Sequence, residues 1–199
     1  MKHRILALAL LGLPLGATPG VGCAKTEPPL LVPEPAPRGA PASAARPANP
    51  TTTVVLPAAA RAALDKALAA YESMRKQLAH DTTGTLASDA ATLADAEAAA
   101  EAALGADAAA AKGALDDLAA AARSTAPADL AAARTWFGSV SKALIAITGV
   151  VPSLREGRHI FSCPMTKDYP KWIQTDAKLE NPLQGQAMPT CGEAASWTD

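Results

Sequence analysis

Between Pro57 and Pro152 the chain carries a hydrophobic repeat with steps of three and four residues, and most of the positions between are Ala or polar. That spacing gathers the large apolar side chains on one face of a helix and suits no strand. Leu64, Leu68, Tyr71, Arg75 and Leu78 follow it in a first stretch, which opens at Pro57, a residue suited to a first helical turn. His80-Asp81-Thr82-Thr83-Gly84 breaks it. Leu86, Leu93, Ala100 and Leu104 carry a second stretch to Gly105, and Ala108, Leu115, Leu118 and Ala122 a third, in which Gly113 costs about 1 kcal/mol relative to Ala. Ser124-Thr125-Ala126-Pro127 reads as a cap followed by a first-turn Pro. The fourth stretch, Leu130, Ala133, Phe137, Val140, Leu144, Ile147 and Val151, ends between Gly149 and Pro152. Four helices of about 20 residues with short connections predict an all-α fold, an antiparallel four-helix bundle.

Such a bundle has a thin core. Apolar residues make up 49% of the chain, but Ala supplies much of that and aromatics only 4%. Ala favours helix and buries little surface, so a staple such as a disulfide or a metal matters more than usual. A net charge of -1 leaves no footprint for nucleic acid. Asp89, Asp95, Glu97, Glu101 and Asp107 have no accompanying Glu-x-x-His pair, so they read as a solvated helix face. His80 reads as an exposed or C-capping residue.

Residues 1–23 read as a signal peptide of lipoprotein type. Lys2, His3 and Arg4 precede the apolar run ILALALLGLPLGA, which has the length of an export segment and is too short to span a bilayer. Small residues then lead to Gly22-Cys23. Lipidation of Cys23 would anchor the protein to a membrane on the periplasmic side of a bacterial cell envelope. Gly20 stands where lipoproteins usually carry Leu, so a conventional cut after Ala24, giving a soluble periplasmic or secreted protein, is the alternative. Residues 24–56 hold about half of the 17 Pro and show no hydrophobic period; they read as a disordered tether, on the order of 100 Å if extended. The remainder, 57–199, is expected to be the bundle domain, with a loop-rich cap over 153–199 that carries two Cys.

The cap holds the chemistry. His159-Ile160-Phe161-Ser162-Cys163-Pro164-Met165 and Met188-Pro189-Thr190-Cys191-Gly192 place two thiols, two thioethers and an imidazole within two short stretches. Thiolate and thioether select Cu(I) or Ag(I) over hard cations, so Cys163, Met165, Met188 and Cys191, with His159 as an optional fifth ligand, form a candidate soft-metal set. Zinc does not take thioether. The alternative is a disulfide: with Cys23 lipidated or removed, Cys163 and Cys191 are left as a pair in an oxidising compartment. Their bridge closes a loop of 27 intervening residues, worth about 3 kcal/mol. One chain can alternate between the two states. No third group orients His159 towards Cys163, so no enzymatic activity is expected.

Phe161-Ser162-Cys163-Pro164-Met165, Trp172-Ile173, Asn181-Pro182-Leu183-Gln184-Gly185, Met188 and Cys191-Gly192-Glu193 together resemble the C-terminal signature of the domain-of-unknown-function family 3347. Arg134-Thr135-Trp136-Phe137-Gly138-Ser139-Val140-Ser141 resembles the Arg, Phe and Ser pattern of that family's last helix. Leu183-Gln184 stand where the family usually carries aromatic residues. The resemblance implies an extracytoplasmic helical domain, often a lipoprotein or fused to the adaptor subunits of copper and silver efflux systems. It implies a metal efflux adaptor or another envelope protein as partner. It also marks Trp172, Asn181, Pro182, Gly185 and Gly192 as residues that shape the cap.

Overall fold

The computed structural model describes residues 55–105, 109–124 and 126–198. The signal segment, Cys23, the tether up to residue 54 and Asp107 lie outside them.

The four helices form close to where the repeat places them: α1 over Ala58–Ala79, α2 over Leu86–Leu104, α3 over Ala109–Arg123 and α4 over Leu130–Val150. α1 buries Leu64, Leu68, Tyr71, Met74 and Leu78, and α4 buries Trp136, Phe137, Val140, Leu144 and Ile147. His80 is exposed and caps α1. α1 packs on α2, α2 on α3, α3 on α4, and α4 back on α1. Among the described residues no helix is long and apolar enough to cross a membrane.

Two expectations about the helices change. α4 is capped by Asp129, whose carboxylate accepts the Ala132 N–H at 2.9 Å. Asp is a strong N-cap that also complements the helix dipole, and it displaces the start expected at Ser124 and Pro127. Ser124 instead accepts the Trp136 indole N–H at 2.9 Å, shared with Ala121 O at 2.9 Å. Glu97, assigned by sequence to a solvated face, is only 2% exposed, and its Oε1 has no hydrogen-bond partner. It sits on the side of α2 that also buries Leu93, Ala96, Ala100 and Leu104, where small neighbours leave room for a longer side chain.

The segment after α4 is not all loop, so the fold is mostly helical and not all-α. A 3-10 turn over Pro152–Arg155 leads to β1 (His159–Ser162), β2 (Lys171–Gln174), a second 3-10 turn over Gly185–Ala187, and β3 (Glu193–Ala194). The three strands make an antiparallel sheet in the order β2-β1-β3, with Phe161 opposite Trp172 on one side and opposite Ala194 on the other. Strands of two to four residues are too short for an alternation to show in sequence. What marks them is composition: HIFS and KWIQ are aromatic and β-branched where the helices are Ala.

β2 lies against α4 and α1. Trp172 and Ile173 are fully covered there, and Trp172 stacks on Phe161 at 5.9 Å between centroids. Tyr71 of α1 joins the layers. Its ring stacks on Phe137 at 4.7 Å, and its hydroxyl shares a 2.7 Å bond with Ser141 Oγ and accepts the Ile173 N–H at 3.2 Å.

Burial, and after it the like charge of Glu101, raises the Glu97 carboxyl above its ordinary value despite the Arg123 guanidinium. A carboxyl raised by folding contributes its full stability below the unfolded value of about 4.3, and that stability is lost as pH rises through the folded value. Glu97→Gln should therefore be more stable than wild type by about 1 kcal/mol at pH 7. The difference should close as pH falls towards 4 in urea unfolding; a difference that stays constant with pH contradicts the assignment.

Candidate functional site

Two turns of like construction bring the sulfurs together. Cys163-Pro164-Met165-Thr166 folds back after β1, with Thr166 N–H donating to Cys163 O at 3.2 Å and Cys163 N–H to Pro170 O at 3.0 Å. Met188-Pro189-Thr190-Cys191 folds back before β3, with Cys191 N–H donating to Met188 O at 3.1 Å. Pro in second place presets the backbone angle each turn requires. One Cys opens its turn and the other closes its turn. Because Ser162 pairs with Glu193, the flanking cysteines arrive side by side. Their Sγ atoms are 2.8 Å apart; Cys163 is fully buried and Cys191 partly exposed.

Four residues of the expected cap set hold this approach. Gly192 has φ +142°, and a Cβ there would press within 3.0 Å of Ser162 O and of the Trp172 ring. Only a residue without a side chain lets the strand after Cys191 come this close to β1. Asn181, fully buried, donates from Nδ2 to Cys191 O at 2.7 Å while its Oδ1 accepts the N–H groups of Leu183 and Gln184 at 2.8 and 3.0 Å. Its own N–H donates to Pro189 O at 2.9 Å. Gly185, at φ +55°, passes so close to Asp81 and Arg134 that a methyl group would collide with both side chains. Pro182 is buried, and its carbonyl accepts from Arg134 Nε at 3.1 Å.

The two thiols are unequal. Burial works to raise the Cys163 thiol, but hydrogen bonding from Cys191, the Met165 N–H and the Asn181 side chain outweighs it and holds the thiol below its ordinary range. Cys191 is raised, first by its hydrogen bond to Cys163 and then by burial. A reduced pair therefore titrates as a unit, with one thiol hydrogen-bonded to the other.

The other expected ligands divide. Met165 and Met188 are 60% and 42% exposed, and with Val55 they are the exposed large hydrophobic residues among those described. Each flanks one of the cysteines. Met165 also lines an open groove of about 380 Å³ with Arg134, Lys167 and Leu183. His159 does not join them. It stands at the far end of β1, four extended residues or about 13 Å of chain from Cys163, with its exposed ring 6.3 Å from Phe161. Among the described residues no three His, Cys, Asp or Glu side chains come together in a way that could hold a metal, so a metal here would depend on sulfur. Asp81 gave no signal in sequence beyond its place in a polar turn, yet its carboxylate receives both Arg134 and the Gln186 N–H.

Comparison with protein families, with curated proteins and with solved structures finds no match.

Gly185→Ala strains a backbone at φ +55° and pushes the Asp81 carboxylate and the Arg134 guanidinium aside. It should lower stability by about 1–3 kcal/mol in urea unfolding. A loss below about 0.5 kcal/mol would show that the loop seats differently.

Proposed function

We propose that the chain is an exported, lipid-anchored accessory protein of the bacterial envelope. Its antiparallel bundle carries a sulfur site that takes up a soft monovalent metal, Cu(I) or Ag(I), as cargo in support of efflux. The observation that carries this reading is the 2.8 Å approach of Cys163 and Cys191, whose two turns each present an exposed Met. Sulfur pairs of this kind suit Cu(I) and Ag(I). Cys163 and Cys191 would be the binding atoms, with Met165 and Met188 as thioether contacts and Asn181 fixing the Cys191 backbone. His159 falls outside the set.

Two thiolates on one metal ion would stand further apart than the 2.8 Å seen here, so uptake would part the pair. The same closeness favours a second reading, in which the two thiols lose two protons and two electrons to an envelope oxidant and close into a disulfide. In that form the chain is an interaction module with a stapled C-terminal segment and no metal. The Met positions separate the readings, since a staple has no need of exposed thioether.

The test is an anaerobic Cu(I) titration of the reduced protein against a competing chelator, for wild type and for Met165→Leu/Met188→Leu. The proposal expects one tightly held Cu(I) in wild type and at least about tenfold weaker binding in the double variant, with the fold unchanged. If reduced wild type does not compete for Cu(I), the metal reading fails and the staple reading stands.

A further inference from the structure

The two sulfurs differ in who can reach them. Cys163 has no exposed surface. Cys191 is partly exposed at the end of the turn that begins with the exposed Met188. Thiol–disulfide exchange requires in-line approach of an incoming sulfur to the one it attacks, and of the pair only Cys191 offers that approach.

We propose that Cys191 is the single port through which the oxidised pair exchanges with outside thiols, and that Cys163 is always the departing sulfur. This rests on the reversible couple described above and adds a direction to it. An outside thiolate attacks Cys191 Sγ and forms a new S–S bond there. The Cys163–Cys191 bond breaks, and its electron pair leaves on Cys163 Sγ. A second outside thiolate then attacks the sulfur of the first, so that Cys191 departs as thiolate. The balance is two outside thiols oxidised to one disulfide and the couple reduced to two thiols. The substrate class is a thiol on a flexible carrier, a small monothiol or an exposed cysteine of a partner, because Cys163 admits nothing to its own surface.

In this order the couple opens from the outside inwards. The port frees the buried Cys163 as a thiolate while Cys191 is held covalently by the visitor. A reductant therefore prepares the buried sulfur first. Asn181 acts as a positioning residue: its bond to the Cys191 carbonyl keeps that sulfur at the rim.

The experiment uses the oxidised full chain, treated with one equivalent of glutathione and stopped early with N-ethylmaleimide under denaturing conditions. Adducts are then located by peptide mass, with the peptide carrying Cys23 read separately. The expected result is glutathione on Cys191 and maleimide on Cys163, in at least about tenfold excess over the reverse pattern. Glutathione on Cys163, an even split, or no mixed disulfide at any time during reduction overturns the port. A second measurement needs no reduction. In variants that each keep one cysteine of the pair, glutathione disulfide should modify Cys191 of Cys163→Ser at least about tenfold faster than Cys163 of Cys191→Ser, and equal rates overturn it. If the wild type yields no Cys163–Cys191 disulfide under an oxidising glutathione buffer, the reversible couple itself fails, a result distinct from a disulfide that opens at the wrong sulfur.

Discussion

The Arg134 guanidinium joins three pieces of chain that sequence keeps far apart. From α4 it donates to Leu78 O at the end of α1 at 3.1 Å, to the Asp81 carboxylate just beyond, and to Pro182 O at 3.1 Å. Asp81 also accepts the Gln186 N–H at 3.1 Å. That backbone bond, with the guanidinium, holds its carboxyl below the usual range. An ion pair this close to solvent contributes little as a charge pair. Its value is geometric: a planar donor fork fixes where the 181–187 loop sits. Asn181 is placed by that seating, the Cys191 backbone by Asn181, and the approach of the two sulfurs by Cys191.

Arg75 makes a second tie further along α1. It is fully buried, paired through Nε and Nη2 with Glu72 at 2.9 and 3.0 Å, and it reaches Glu180 O and the Glu180 carboxylate at 3.2 and 3.3 Å. A buried charge satisfied this fully adds little net stability, but removing one partner leaves it unpaired at a cost of several kcal/mol. Two arginines, from α1 and α4, thus hold the two ends of one loop. An interior built largely of Ala supplies bulk packing without much shape, so the position of the C-terminal segment is set by this polar network together with Tyr71 and Trp172.

The helices were legible because Leu, Tyr and Phe recur at helical steps against an Ala background, and because Gly105 and the polar turn at 80–84 end them cleanly. The sheet was not, since its strands are shorter than one period of the signal that would reveal them. Sequence named the two cysteines and the glycines that let them meet, but the partners of those glycines are tertiary. Nothing local to Asp81 or Arg134 says that Gly185 passes between them. Arg134, Phe137 and Ser141 gain their roles only in the fold, where they meet the loop, the Tyr71 ring and the Tyr71 hydroxyl. His159 was grouped with the sulfurs because it is near them in sequence. An extended strand turns four residues into a distance no ligand set can bridge.

The account makes the sulfur site a consequence of a loop anchored some distance from it. The direct measurement is the effective concentration of Cys163 for Cys191, from the disulfide equilibrium in a glutathione redox buffer, in wild type and in Arg134→Met. If the anchor sets the approach of the sulfurs, the variant should show a fall of at least about tenfold with its helices intact by circular dichroism. An unchanged effective concentration would mean that the two Pro-containing turns and the β1–β3 pairing bring the cysteines together unaided, and the central dependence claimed for Arg134 would be wrong.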